Sequence, residues 1–340
     1  MSIKDTLFAL TSADALGNLT DARDKAYELM SEFAECEKSD SLTVTARLKG
    51  ESDYTLMLDA HIDQVGFIVT NVDDKGFLTV EKAGGTDIRS LPARRVTVHG
   101  KEKITAVFCS TPPHLSSGEK EYSDITEIKL DTMLGEKAKD LICLGDYVTF
   151  ENEPYELRDG RVMGRSFDDR AGIACLIEIA KRLSGKKLPF NVAFVMSDGE
   201  ELGMRGVRPA SFKVNPNEAI AIDVSFGDGL GISPDESAKL ESGAMIGASP
   251  ALDRCITNKL LNIAKEKNIP ATAEVMSGHT GTNADMIGVN REGVRTCTVS
   301  IPLRNMHTDV EILDIKDLES VCNLICEYIL SGGVMNDRTN

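Results

Sequence analysis

Tryptophan is absent from the chain, and aromatic residues of all kinds make up only 5% of it. That leaves few flat platforms on which sugar rings could stack. Basic residues are in deficit too: 38 Lys and Arg stand against 54 Asp and Glu, a formal net charge of −16. A phosphate backbone demands the opposite balance, so no nucleic-acid partner is expected. A metal or a cationic ligand suits the charge better, although most of such an excess serves simply as a solvated acidic surface. No apolar run reaches membrane-spanning length, so no membrane partner is expected either. The opening segment MSIKDTLFALTSADALGN carries charges and lacks the apolar core and cleavage site of a secretory signal. None of the eight cysteines falls in a CxxC pair, and Cys322 and Cys326 are spaced as buried thiols on one helical face. No disulfides and no cysteine-paired zinc knuckles are expected, and a reducing, cytoplasmic compartment is the expected setting. Internal repeats and low-complexity linkers are also missing.

What the chain does have is 340 residues, 41% of them hydrophobic, enough for a substantial core and for two domains. Helical spacing of Ala22, Ala26, Leu29, Met30, Phe33 and Ala34 predicts an amphipathic helix from Asp21 to Glu37. Two strands should follow, LTVTARL with a half-buried alternation and YTLMLDA as a run covered on both faces, ending at His61. From about residue 65 to 155 helical periodicity nearly vanishes. Segments such as GFIVTNV, FLTVEKAGG, RRVTVHG, ITAVF and YELRDGRVMGRS read as short strands joined by Gly- and Asp-containing turns. Alternation of helix and strand then resumes. SFDDRAGIACLIEIAKRLSG is a helix with Asp168 and Asp169 in its first turn, and FNVAFVMS and AIAIDVS are apolar strands. SPALDRCITNKLLNIAKEKN is a helix opening at Ser249 and Pro250, VRTCTVSIP a buried strand, and DIKDLESVCNLICEYILSGG a final helix. The pattern predicts an α/β fold, a mixed sheet flanked by helices, with a small β-barrel domain inserted: 1–64 and 156–340 form the larger domain and 65–155 the insert.

Four strand ends lead into polar clusters: LMLDA into His61 and Asp63, AFVMS into Asp198, Glu200 and Glu201, AIAI into Asp223, and VSIP toward His307. Ligands of α/β sheets bind beyond the carboxyl ends of strands, so these groups should converge, with Asp168 at a helix start as a fifth contributor. A single Asp after a strand is commonly a cap or turn residue, and a single His a hydrogen-bonded core residue. Two of only five histidines beside acids at strand ends outweigh those readings jointly. Nitrogen and oxygen donors in this number suit two divalent ions, zinc, cobalt or manganese.

The motifs AHIDQVGF, GRSFDDRAG, SDGEELGMRG, AIDVS and IPLRNMHT, in that order, closely resemble those of the tetrahedral-assembly (TET) metallo-aminopeptidases, a family that includes glutamyl aminopeptidases and proteins labelled cellulase M. The likeness covers nearly the whole chain, since KAGGTDIRSLPARRVTVHG resembles the family's inserted barrel. The resemblance implies that His61 and Asp223 bind one metal, Glu201 and His307 the other, and that Asp168 bridges both. It further implies that Glu200 is the catalytic base, that Asp63 orients the His61 imidazole, and that the Asp168–Asp169 peptide bond is cis. The expected activity is removal of N-terminal residues from short peptides with a free α-amino group, by a homo-oligomer from dimer to dodecamer built through the barrel.

Three departures from the family pattern stand out: Asp198-Gly199 before the two glutamates, Asn283 in GHTGTNAD where Asp is usual, and Thr308-Asp309 after His307. Thr282, Asn283 and His279 are candidate substrate contacts, while His99 and His114 read as surface or loop residues. Two other readings compete. An endoglucanase-type glycoside hydrolase would use carboxyl groups such as Glu200 and Asp198, but leaves both histidines unexplained. A non-catalytic assembly protein would keep the fold without the chemistry, yet every ligand and the base are present.

Overall fold

The computed structural model describes residues 1–40, 43–110, 112–115 and 124–335. The chain opens with α1 (Ile3–Thr11) and α2 (Asp21–Met30), followed by β1 (Glu35–Lys38), β2 (Val44–Leu48) and β3 (Thr55–His61). Six strands then form a separate unit: β4 (Gly66–Val72), β5 (Phe77–Ala83), β6 (Arg95–His99), β7 (Lys103–Phe108), β8 (Leu130–Asp131) and β9 (Tyr147–Phe150), with a helical turn α3 (Ala138–Leu141) before the last. The short strands β10 (Tyr155–Glu156) and β11 (Arg161–Gly164) lead into α4 (Phe167–Leu183). Thereafter come β12 (Asn191–Ser197), α5 (Val207–Val214), β13 (Glu218–Phe226), β14 (Ala244–Ala248), α6 (Arg254–Lys267), β15 (Ala271–Val275), α7 (Ala284–Gly288), β16 (Arg295–Leu303), β17 (Glu311–Asp314) and α8 (Ile315–Leu330).

The main sheet has the order β1-β2-β12-β3-β13-β16-β14-β15. Its centre, β12, β3, β13 and β16, is parallel, while β2 and β14 run antiparallel to their inner neighbours, so the sheet is mixed. Central parallel strands are covered on both faces, which explains their continuous apolar runs. Strand alternation sorts the residues: Leu56, Leu58 and Ala60 face the large core with α1, α4 and α8, whereas Met57 joins Val207, Ala210 and Ile287 under α5 and α7. Helix α4 is buried along most of its length, from Phe167 to Leu183, with Lys181 exposed and Glu178 and Arg182 partly so near its end.

Strands β4-β5-β8-β7-β6-β9 close into a barrel. Alternate residues Val96, Val98, Ile104, Ala106 and Phe108 point inward around Phe67, whose ring meets those of Phe108 and Phe150 edge-on at 5.1 and 5.5 Å. Asp14 ties this unit to the main one. Its carboxylate pairs with the buried Arg165 at 2.6 Å and lies 3.7 Å from the imidazole of His99 on β6. Burial pushes the Asp14 carboxyl up, but the Arg165 guanidinium outweighs it and the net shift is downward.

Several boundaries differ from the sequence reading. The first amphipathic pattern breaks at Met30, and Glu35–Lys38 pairs with β2 as an edge strand. Leu42, placed in a strand by its sequence, lies outside the described residues. Helix α6 starts at Arg254, because the Asp253 carboxylate caps Cys255 and Ile256. The segment YELRDGRVMGRS does not join the barrel: β10 and β11 pair with β17 in a three-stranded sheet. His99 is neither a surface nor a loop residue, since its side chain is buried and hydrogen-bonded to Thr149. His114 is exposed. All eight cysteines are free thiols, and among the described residues no helix is long and apolar enough to cross a membrane.

Candidate metal centre

The carboxyl ends of the parallel strands bring the predicted residues together. His61 is the last residue of β3, and Ser197, the last of β12, precedes the turn holding Glu200 and Glu201. Asp223 lies in β13, and His307 stands four residues beyond the end of β16. Asp168 enters from the start of α4, where the Asp168–Asp169 peptide bond is cis.

Asp168 stands between the two imidazoles. Its Oδ1 is 2.9 Å from Nε2 of His61, and its Oδ2 is 3.2 Å from Nε2 of His307. Nε2 of His307 is equally close, 3.2 Å, to Oε1 of Glu201, and Nε2 of His61 is 3.9 Å from Oδ1 of Asp223. Donor atoms of His61, Asp168 and Glu201 lie within 4.8 Å of one another, as do those of His61, Asp169 and Asp223. These triads overlap at His61 and cut across the pairing that the family resemblance implies. The closer contacts of His307 with Glu201 and Asp168 favour the implied pairing, with Asp168 shared.

A second layer fixes these groups. The Asp63 carboxylate accepts the backbone N–H of Glu200 and of Glu201 at 2.9 and 3.1 Å, and lies 3.4 Å from Nδ1 of His61. Gly199 bends the turn at a φ of +74°, which a Cβ would oppose. Asp169 accepts the N–H of His61 at 3.2 Å. Glu311, the first residue of β17, accepts the N–H groups of Phe167, Asp168 and His307. The last of these, at 2.8 Å, holds His307 in a left-handed conformation, φ +62°, that costs a non-glycine residue about 1 kcal/mol or more. The side chains of Asp169 and Glu311 escaped the sequence reading as site residues.

Asp63, Asp168, Asp169, Glu200, Glu201, Asp223 and Glu311 thus crowd around two imidazoles. Burial, reinforced by neighbouring negative charge, raises Asp169, Asp223 and Glu311 well above the usual carboxylate range and pushes Glu200 up to about 7. Burial also acts on Asp168, but hydrogen bonds from His307 and His61 overcome it and its pKa is lowered. Burial lowers His307, yet Asp168 and Glu201 outweigh it and push the imidazole up to about 11. The cluster is short of positive charge, and its imidazole and carboxylate donors fit divalent cations.

The cluster opens into a cavity of about 810 Å³. Glu200 lines it beside His61, Asp168, Glu201, Asp223 and His307, and so do His279 and Thr282. Asn283 takes another course. At the start of α7 it is 2% exposed, and its amide donates to Oδ2 of Asp59 at 2.7 Å and to Ser197 Oγ at 2.8 Å, behind the strand ends. The turn of the GHTGTNAD loop points Thr280, Gly281 and Thr282 at the cavity and Asn283 at the sheet. From the barrel, the loop after β5 closes over the second imidazole: a Cβ built on Gly85 would lie 3.1 Å from Nδ1 of His307, and one on Gly84 would lie 3.4 Å from Oε2 of Glu201.

Comparison with known proteins finds relatives over nearly the whole chain. The family described as M42 glutamyl aminopeptidase matches residues 43–324. A lysyl aminopeptidase of Pyrococcus furiosus is 30% identical over 314 residues, 89% of each chain. The structure of an aminopeptidase from the archaeon Desulfurococcus kamchatkensis superposes with a TM-score of 0.92 at 28% identity, covering 99% of this chain and 98% of the other. The TET1 peptidase of Pyrococcus horikoshii, described as assembling into a tetrahedron or a large octahedral shell, superposes at 0.85 with 28% identity over 97% and 99%.

Proposed function

Because the chain belongs to the M42 glutamyl aminopeptidase family, we propose that it is a two-metal aminopeptidase that releases residues from the free N-termini of short peptides. The observation that carries this reading is Asp168, whose two oxygens face different imidazoles at 2.9 and 3.2 Å. That is the arrangement a bridging carboxylate requires. His61 and Asp223 would hold one ion, Glu201 and His307 the other, with Asp168 between them; zinc or cobalt suits these donors best, and manganese also fits. Bound there, the ions would supply Lewis acidity and a lowered pKa for water.

The chain's own groups do the rest. Glu200 sits at the cavity wall with its carboxylate raised to about 7 by burial and by the charges of Glu201, Asp168 and Asp63. It takes a proton from water and returns it to the departing amine. Asp63 fixes the turn bearing that base and stands beside the first imidazole, so one carboxylate sets the distance between base and ligand. The acidic cluster draws in the ammonium of a free N-terminus.

We assign residues 1–64 and 156–340 to the catalytic unit and 65–155 to an assembly domain through which copies of this chain associate; the TET1 peptidase is described as assembling into a tetrahedron or a large octahedral shell. Eight free thiols suit a cytoplasmic setting. The test is hydrolysis of free and N-acetylated aminoacyl substrates by chelated protein, before and after addition of zinc, cobalt or manganese. Metal-restored cleavage confined to free amines is expected. Equal cleavage of capped substrates overturns the exopeptidase reading, and indifference to chelator overturns the metal.

A further inference from the structure

One carboxylate in the cavity has no part in the chemistry above. Glu274 lies on the edge strand β15, yet its side chain crosses toward the centre of the sheet, where Ser225 Oγ donates to its Oε1 and Ser300 Oγ donates to its Oε2 at 2.8 Å. Both serines border the proposed metal ligand Asp223. Ser300 is its register partner on β16, and Ser225 follows two residues later on β13, roughly 7 Å along the strand.

With one hydroxyl donor on each oxygen, the carboxylate is fixed in orientation and keeps acceptor capacity on both. Apolar side chains line the same cavity, notably Met245, Phe226 and Met276. Lys239 also lines it, but is exposed and accompanied by Asp235 and Glu236. An apolar wall ending in an anchored carboxylate, a short reach from the reacting centre, matches a long alkyl stem with a cationic head.

We propose that Glu274 selects peptides whose N-terminal residue is basic, lysine or arginine, by accepting the side-chain cation while the stem lies on the apolar wall. This rests on the aminopeptidase reading and gives that site its substrate class. An acidic N-terminal residue would meet like charge, and a neutral one would leave the half-buried carboxylate without a cation.

The experiment is kcat/KM of the metal-loaded protein on lysyl, arginyl, norleucyl and glutamyl p-nitroanilides, for the natural chain and for Glu274→Gln. Norleucine keeps the linear stem without the ammonium. A lysyl-to-norleucyl ratio well above one in the natural chain is expected, falling about tenfold or more in E274Q, the scale of a charged hydrogen bond. A Glu274 that merely braced the two serines would leave the ratio unmoved, and that result overturns the proposal. Preference of the natural chain for norleucyl or glutamyl substrates overturns it as well, and does so even if E274Q fails to fold. In those cases aminopeptidase activity itself stands, whereas no hydrolysis of any free-amine substrate overturns both readings together.

Discussion

The carboxylate of Asp63 holds the backbone N–H of Glu200 at 2.9 Å, although 137 positions separate the two residues. Strands β3 and β12 are parallel neighbours, with His61 in register with Ser197, so the segments that follow them run side by side. Glu200, the proposed base, and the first imidazole are thereby coupled through a single side chain.

Replacing Glu200 with glutamine keeps the shape of the side chain and removes its basicity. Turnover should fall by roughly 10² to 10⁴ while metal content and far-UV circular dichroism stay unchanged. Near-normal kcat in this variant would remove Glu200 from the role of base.

Asp63→Asn tests the coupling. An amide has one acceptor oxygen in place of two, so one of the N–H bonds to Glu200 and Glu201 must be lost, and the negative charge beside His61 disappears. A fall of about 10- to 100-fold in activity or metal affinity is expected from kinetics and a metal titration. Unaltered values would mean that the turn is fixed without it.

Cations should stabilise the fold as well as the reaction, because they relieve crowding among buried carboxylates. Chelation should lower the melting temperature and re-addition restore it; a ligand at a hundred times its Kd contributes about 2.7 kcal/mol. His307→Ala should bind fewer ions per chain by elemental analysis, and full occupancy would exclude His307 as a ligand.

Far from the site, burial pushes Glu218 up to about 7, partly offset by hydrogen bonds that include one from Tyr328. The folded chain therefore keeps this proton at pH values where the unfolded chain, near 4.5, has released it. Stability is lost as pH rises from the lower value to the higher, by about 3 kcal/mol from this group. In Glu218→Gln that loss is absent, so the variant's melting temperature should gain on the natural chain between pH 5 and 8. A constant difference across that range would refute the shift.

The parallel strands and their polar ends were legible because covered strands write continuous apolar runs and ligands gather where those runs stop. Asp169 and Glu311 were not. Their carboxylates bind backbone N–H groups of His61, Asp168 and His307, and an acceptor of backbone hydrogen bonds leaves no periodicity. Asn283 shows the same limit in reverse: its motif marked the right loop, but direction along a turn depends on φ and ψ, which residue type alone does not settle. Glu274 on an exposed-looking edge strand gave no signal, since its carboxylate is anchored by serines on two other strands. Helix α1 was hidden by its shortness, although Ser2 and Asp5 form a reciprocal cap at its start.

The glycines after β5 tie the site to the barrel in a way that domain arithmetic conceals. Every proposed ligand and the proposed base lie outside the barrel strands, so a trimmed chain lacking the barrel would look chemically intact. It would nevertheless be unroofed, because Gly84 and Gly85 supply the bare backbone against which Glu201 and His307 rest. Cutting the chain at the barrel's edges would remove part of the wall against which two of the proposed ligands stand.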